Sequence, residues 1–370
     1  MICYDIIADC RLHLLNKTVM HPSTTRQYST HHTTQSSHYR IITLQNHHCT
    51  ALQNHQSTTL PIYHPQITMK SYKPTVLITG CSDGSLGSAL AIAFHHAGWR
   101  VFASARNPAK LSAVTALGIE TVTLDVTSAD SITGAVTQLQ TLLGPSGGLD
   151  CLVNNAGGGY TTPLSDMDLS KAQALFELNV WPLVTVTRAM LPLLMRSTRR
   201  GGAIVANNTS LAGTLGGTVV FGGVYNASKG AAISLTETLR WELGLLGVRV
   251  VNLVTGVVTS NFGDNAMVET LPEGSVWTKV SSEVQKVMEG AELQTGDDPA
   301  QWADAVVKEL GKEKPPHWIS KGKFAGLVRL ANHLPLGLLD GTGKKIMGLD
   351  VVEKKIAELG GPERLLPDTK

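Results

Sequence analysis

Aromatic residues are scarce in this 370-residue chain, at 5%, and charged residues make up only 16%. Neither sign of charge prevails, with 31 lysines and arginines against 29 acidic residues and a net charge of +2. No basic run studded with aromatics occurs, so the electrostatic footprint of a nucleic-acid partner is missing. Cysteine is sparse too. The five, Cys3, Cys10, Cys49, Cys81 and Cys151, are scattered and contain no C-x-x-C pair. An odd, dispersed set describes neither a disulfide framework nor a zinc site, so no metal is expected and a reducing compartment fits. Long hydrophobic runs are also lacking, and none approaches the roughly 18 residues a membrane span needs.

The first seventy residues are poor in acid. After Asp9 no carboxylate occurs until Asp83, and His, Thr, Gln and Ser crowd the interval. Such a composition buries too little apolar surface to offset chain entropy, so residues 1–70 are predicted to be a disordered extension. Poverty in acid also suits a mitochondrial transit peptide, although arginines are few and no amphipathic Arg-bearing helix is evident. The plainer reading is a dispensable extension, with synthesis starting at Met69 directly before the first strand. Met1–Ile7 offers no adequate apolar core for a secretory signal.

From Thr75 onward short apolar runs alternate with longer helical stretches. Thr75–Gly80, Arg100–Ala105, Glu120–Asp125, Leu149–Asn154, Gly202–Asn207 and Val248–Val254 read as strands, with Pro316–Ser320 as a seventh. Between them the pattern predicts helices over Leu86–Ala97, from Pro108, from Ser128, and over Gly223–Leu243. A long helix over Asp168–Met195 is expected to bend or break at Pro182 and Pro192. This alternation predicts an α/β fold, a Rossmann-type doubly wound parallel sheet of about seven strands in a single domain over residues 71–370. A substrate loop is expected at about 260–300, with a helix near Ser281–Glu292, and a C-terminal tail at about 322–370, charged and peripheral from Lys344 onward.

The turn after the first strand reads Thr79-Gly80-Cys81-Ser82-Asp83-Gly84-Ser85-Leu86-Gly87. Glycines here allow a tight turn and let a pyrophosphate approach the backbone at a helix N-terminus, where free N–H groups favour anions. A plain glycine-rich turn is the competing reading. The strand-turn-helix context favours a nucleotide cradle through Gly80, Ser82, Gly84, Leu86 and Gly87. The second strand ends in Ala105-Arg106, without the carboxylate that usually bonds an adenine-ribose 2′-hydroxyl. Arg106 therefore suggests NADP(H) in preference to NAD(H), the alternative being a solvated surface arginine. Asp83 argues the other way, as a negative charge in the phosphate loop.

Tyr225 and Lys229 stand four apart, on one helical face. A free phenol titrates near pH 10, and a neighbouring ammonium lowers that value toward the range useful for acid/base work. The pair alone could equally be an exposed helix face. Upstream lie Asn154-Asn155-Ala156-Gly157, Asn179 and Thr209-Ser210.

Taken together, the T-G-x-x-x-G turn, N-N-A-G, the helical Asn, the Ser and Y-x-x-x-K resemble the short-chain dehydrogenase/reductase family. The resemblance runs from Thr75 to about Phe262. It implies an NAD(P)-dependent oxidoreductase interconverting a ketone and a secondary alcohol. Tyr225 would be the acid/base, and Lys229 would lower its pKa and bond the nicotinamide ribose. Ser210, in preference to Thr209, would steady the carbonyl oxygen. Asn179 would hold a water relaying protons from Lys229. Asn155, Ala156 and Gly157 would border the cofactor while Asn154 braces backbone or touches it. Asp125 would meet the adenine or cap a helix, Val258 would border the cofactor, and Thr259 would reach the nicotinamide carboxamide.

Three departures from the family pattern stand out: an extra residue in the glycine turn (Ser85-Leu86), a long interval from Ser210 to Tyr225, and Thr255-Gly256 where Pro-Gly is customary. A weaker likeness, through Leu271-Pro272, Trp277, the Ala303–Leu310 helix, His317-Trp318 and Leu334-Pro335, is to fungal 1-acyldihydroxyacetone-phosphate reductases. A lipid precursor or a secondary-metabolite ketone is the implied substrate. The resemblance further implies a homo-oligomer. Residues 324–339, apolar with a few basic residues, would touch a membrane surface or pack against protein. The expected location is cytoplasmic or peripheral on an intracellular membrane, with mitochondria as the alternative. A catalytically silent dinucleotide-binding regulator or scaffold is the competing function.

Overall fold

Val76 and Ile78 enter one apolar core while Leu77 enters another, and all three are fully buried. A strand apolar on both sides must be covered on both, which a parallel sheet with helical crossovers achieves. The computed structural model describes residues 72–290, 295–335 and 337–366. The disorder expected for residues 1–70 falls outside the described residues.

The elements, in chain order, are β1 (Thr75–Ile78), α1 (Leu86–His96), β2 (Arg100–Ala105), β3 (Glu120–Thr123), α2 (Ala129–Leu143), β4 (Cys151–Asn154), β5 (Tyr160–Thr161), α3 (Leu169–Asn179) and α4 (Trp181–Leu194). They continue with β6 (Ile204–Ser210), α5 (Gly223–Gly244), β7 (Arg249–Thr255), β8 (Met267–Val268), α6 (Ser281–Met288) and α7 (Pro299–Leu310). The chain then forms β9 (Trp318–Lys321), α8 (Ala325–Ala331), α9 (Asp340–Ile346) and α10 (Leu349–Glu358).

Seven strands form one sheet in the order β3-β2-β1-β4-β6-β7-β9. Every neighbouring pair is parallel, with Val76 opposite Val101 and Cys151, and Ser210 opposite Thr255. The order reverses between β1 and β4. The crevice beyond the carboxyl ends of the strands at such a switch point is where open α/β sheets bind ligands.

On one face Phe94 of α1 and Trp302, Val306 and Leu310 of α7 pack against Val76, Val101 and Leu253. On the other, Leu139, Met190 and Leu239 from α2, α4 and α5 cover Leu77, Phe102 and Val205. Each such large side chain contributes on the order of 1.5–3 kcal/mol on burial. Helix starts follow their caps. Ser128 accepts from the Ser131 N–H, Asp168 from Ser170 and Lys171, and Asp298 from Gln301.

The expected long helix is divided at Val180 (φ −112°, ψ −63°) into α3 and α4. Pro182 has no N–H to return to the Leu178 carbonyl, so the helix restarts. Pro192 lies inside α4 without ending it. The seventh strand is present as Trp318–Lys321. Pairing of Tyr160–Thr161 with Met267–Val268 in a small second sheet was not foreseen. Two-residue strands carry no readable period.

The stretch from Lys344 differs from its expected peripheral character. Val352 and Leu365 bury themselves against Val280, Val284 and Met288, forming a separate apolar cluster. An amphipathic helix makes such a contact through an apolar stripe of about three residues in seven, so the charged residues on its other face conceal it.

Candidate active site

The glycine turn and the N-N-A-G segment are packed so closely that side chains are excluded between them. Gly80 has φ +74°, and a Cβ there would stand 2.9 Å from the Ala156 Cα. A Cβ on Gly87 would meet the Gly80 carbonyl oxygen at 2.3 Å and Asn155 Nδ2 at 2.6 Å. Thr79 Oγ1 accepts from the backbone N–H groups of Asn155 and Ala156, both at 2.9 Å. Asn155 Nδ2 returns bonds to the Thr79 and Gly80 carbonyls at 2.9 and 3.2 Å. The extra residue in the turn is accommodated as a cap. Ser85 Oγ donates to the Gly80 carbonyl at 3.0 Å and accepts from the Ser88 N–H, so α1 begins at Leu86.

A chain of side-chain amides and hydroxyls crosses the strand ends. Buried Asn154 donates to Asn207 Oδ1 (2.8 Å) and Thr187 Oγ1 (3.0 Å) and so braces β4 against β6 and α4. Asn208 donates to Asn155 Oδ1 at 2.8 Å and accepts from Thr255 Oγ1 at 2.5 Å, while its backbone carbonyl accepts from Lys229 Nζ at 3.1 Å. Asn208 was not singled out in the sequence. The only signal was its place in a polar run at the carboxyl end of a strand, where the crevice must lie.

Tyr225 and Lys229, one turn apart on α5, converge with Ser210 at the end of β6. Lys229 Nζ lies 5.9 Å from the centre of the Tyr225 ring, and Phe262 lies 5.8 Å from it on another side. The phenol of half-buried Tyr225 is raised by burial, and a hydrogen bond with the Ser210 hydroxyl pulls it back down. Burial drops the Lys229 ammonium to about 8. Ser210 Oγ also accepts from the Ala212 N–H at 3.1 Å. Thr209 by contrast is buried, with its hydroxyl donating to Asn252 Oδ1 at 2.6 Å.

Asn179, buried at the end of α3, grips Gly158 through both amide atoms (2.8 and 3.0 Å) and donates to Ser228 Oγ at 3.0 Å. A Cβ on Gly157 would stand 3.1 Å from Asn179 Oδ1 and 3.7 Å from Lys229 Nζ, so both polar groups border one niche.

A cleft of about 2840 Å³ runs over these groups, and Gly80, Ser82, Leu86, Arg106, Asn155, Ala156, Gly157, Ser210, Tyr225, Lys229, Val258 and Thr259 all line it. Gly84, Gly87, Asp125 and Asn179 are not among the residues that line it. The Asp125 carboxylate bonds the Thr127 N–H and hydroxyl at 3.0 and 2.7 Å. Burial opposes its ionisation, but those bonds and the Arg106 charge hold it below the ordinary carboxylate value. Thr259 reaches the loop behind it, its N–H bonding the Asp297 carbonyl at 3.0 Å. Exposed glycine cradle, open cleft and a cation at the end of β2 suit the pyrophosphate and ribose of a dinucleotide.

Beyond Tyr225 the cleft is walled by the 214–220 loop, Phe262, Met288 and α8, and continues to α9. Two non-glycine residues at its edge, Phe221 (φ +57°) and Phe324 (φ +67°), hold left-handed backbone. Such strain persists only where surroundings enforce it. Phe221 is fixed by its carbonyl, which accepts from the Thr162 N–H at 2.8 Å, and by edge contact with Trp277 at 5.5 Å. Among the described residues no cluster suited to a metal ion occurs.

Residues 74–269 match the short chain dehydrogenase family. A short-chain dehydrogenase/reductase of Pestalotiopsis microspora is 40% identical over 292 residues, covering 78% of this chain and 99% of that protein. The NADPH-dependent 1-acyldihydroxyacetone phosphate reductase of Schizosaccharomyces pombe is 34% identical over 206 residues, covering 55% of this chain and 67% of that protein. Among solved structures, a short-chain dehydrogenase from Streptomyces avermitilis superposes with a TM-score of 0.61 at 27% identity, covering 77% of this chain and 99% of that one. The chain belongs to the short-chain dehydrogenase/reductase family of NAD(P)-dependent oxidoreductases.

Proposed function

We propose that this protein interconverts a ketone and a secondary alcohol with NADP(H), using Tyr225 as the acid/base. The observation that carries this reading is the convergence of the Tyr225 phenol, the Ser210 hydroxyl and the Lys229 ammonium at one wall of the cleft. The nicotinamide supplies or accepts the hydride when bound, and the protein contributes position and proton management. In reduction Tyr225 gives its proton to the carbonyl oxygen as negative charge develops there. Ser210 donates a hydrogen bond to the same oxygen. Lys229, held by the Asn208 carbonyl, keeps positive charge beside the phenol and favours its ionised form in the reverse direction. Asn179 and Gly157 border the niche through which water would return a proton to Lys229.

NADP(H) is favoured because Arg106 lines the adenosine end of the cleft while the carboxylates near it are engaged elsewhere, Asp125 with Thr127 and Asp83 with Ser112 and Ala113. The S. pombe relative, named for NADPH, points the same way. A panel of ketones and secondary alcohols with NADPH and NADH is the direct test. Arg106→Ala should weaken NADPH binding about 10- to 100-fold, the loss of one charge-assisted bond, and NADH by much less. Equal losses for the two cofactors would remove Arg106 from that role.

The apolar outer half of the cleft suits a ketone with a bulky or extended hydrocarbon part, such as a lipid precursor or a secondary metabolite. Beside it Leu327, Leu330 and Leu338 are exposed, and Lys323 and Arg329 are close in sequence. No described helix is long and apolar enough to cross a membrane. The pattern suits shallow contact with an anionic bilayer surface. Changing Leu327 and Leu330 together to Asp should abolish flotation with anionic vesicles, and undiminished flotation would exclude this surface.

A further inference from the structure

Asp83 presents a contradiction. It lies in the turn that would cradle phosphates, where a negative charge repels a phosphorylated ribose. Its carboxylate, however, is fully engaged elsewhere. Oδ2 accepts from the Ser112 hydroxyl at 2.5 Å and the Ser112 N–H at 3.1 Å, and Oδ1 accepts from the Ala113 N–H at 3.0 Å. The Asp83 N–H donates to the Lys110 carbonyl at 2.8 Å. Its own carbonyl accepts from Asn261 Nδ2 at 2.7 Å, and the Asn261 N–H donates to the Gly84 carbonyl at 3.2 Å. One residue thereby joins three loops: the glycine turn, the segment after β2, and the segment after β7 that carries Thr259.

The segment after β2 is the one that matters for cofactor choice. Arg106, Asn107 and Lys110 all line the cleft, and their backbone spans from the end of β2 to the Asp83 bonds. Between these anchors the chain makes a single tight turn, Pro108–Lys110, capped by Asn107 Oδ1 on the Ala109 N–H at 3.0 Å. All five residues from Arg106 to Lys110 are exposed, and Leu111 behind them is buried. The far end of this segment is fixed by the buried side chains of Leu111 and Val114 and by the Asp83 bonds.

We infer that Asp83 is a positioning residue for NADP(H), tying the Arg106–Lys110 segment to the glycine turn so that its two cations face the adenine-ribose 2′-phosphate. The inference rests on the NADP(H) reading above. The Ser112 hydroxyl, together with the Ala113 and Ser112 amides, holds the Asp83 carboxylate below the ordinary value, so it stays ionised and bonded at neutral pH. Its charge is spent on three donors, and its tie sets where Arg106 and Lys110 can reach.

Repulsion and positioning predict opposite signs, which makes the test sharp. The full-length protein is titrated with NADPH and with NADH, following quenching of protein fluorescence, for wild type, Asp83→Ala, Asp83→Asn, Ser112→Ala and Arg106→Ala. Asp83→Ala should weaken NADPH about tenfold, as misplacement of binding groups does, and NADH less than about threefold. Asp83→Asn keeps one acceptor oxygen and should fall between wild type and Asp83→Ala. Ser112→Ala loosens the same tie without touching the glycine turn, and should act in the same direction with smaller size. Tighter NADPH binding by either Asp83 variant would show a repulsive charge and overturn the inference. Equal weakening of both cofactors would overturn it as well, by showing general loosening of the turn. If Arg106→Ala discriminates between the cofactors while Asp83→Ala does not, positioning fails and the NADP(H) reading stands. If Arg106→Ala does not discriminate, both fall.

Discussion

Tyr225→Phe loses turnover by about 10²- to 10⁴-fold, the usual worth of a positioned acid/base group, while NADPH binds within about twofold of wild type. The substitution removes one hydroxyl and leaves a ring of the same shape between Phe262 and Lys229. The fold is not at risk, because the ring is only half-buried and the hydroxyl makes no bond that holds an element in place. The proton needed at the carbonyl oxygen then has no donor at the right distance. Ser210 cannot replace it, since an aliphatic hydroxyl is a poor acid near neutral pH and here it also accepts from the Ala212 N–H. Turnover is followed by nicotinamide absorbance and binding by fluorescence titration. A phenylalanine variant that turned over at the wild-type rate would sink the assignment and return the protein to the class of silent dinucleotide binders.

Lys229→Met moves the pH profile of alcohol oxidation upward by about one unit or more. The sign follows from charge. In oxidation the reactive form of Tyr225 is the phenolate. Burial raises the phenol above its ordinary value, and the Ser210 bond opposes that rise only in part. Lys229 is buried with its own value lowered to about 8, so below that pH it is an ammonium, and its charge beside the phenol favours loss of the phenol proton. Removing the cation leaves burial less opposed, the phenol becomes harder to ionise, and the rising limb of kcat/KM moves to higher pH. Reduction, which needs the protonated phenol, should show its falling limb shifted in the same upward direction. Profiles measured from pH 6 to about 10 in both directions test this. A limb that stays where wild type has it would mean that Lys229 serves the ribose alone.

Most of the sheet was legible because a parallel strand buried on both sides must be apolar almost throughout. Thr75–Ile78 and Arg100–Ala105 lie within the runs that the composition marks, and Pro316–Ser320 predicted β9 to within two residues. Ends were less legible. β3 stops at Thr123, since the next residues turn away and Asp125 bonds Thr127, although Leu124 and Asp125 continue the alternation. β6 runs on to Ser210 despite its polar last four residues, because Asn207, Asn208 and Thr209 find side-chain partners on α5, just beyond β4 and on β7 that no local pattern encodes.

The site was legible where spacing suffices and illegible where partners come from afar. A four-residue interval on a helix announces that Tyr225 and Lys229 share a face. Nothing local announces that Asn208, a strand residue, holds Lys229 by its carbonyl and Asn155 by its amide. Asp83 shows the same limit with the opposite consequence: the residue was noticed, but its charge was read without Ser112 and Ala113, which lie some thirty positions downstream.

The burial of Val352 and Leu365 against Val280, Val284 and Met288 divides the enzyme's labour. The residues proposed for proton and cofactor chemistry all precede Ser260, whereas Met288, which lines the cleft beyond Tyr225, leans on a helix and a turn some sixty and more positions later. Replacing residues in α10 would therefore reshape what the enzyme admits without disturbing how it reacts. On the proposed mechanism the reactive groups would emerge first during synthesis, and the wall that holds Met288 would be completed only when α10 docks.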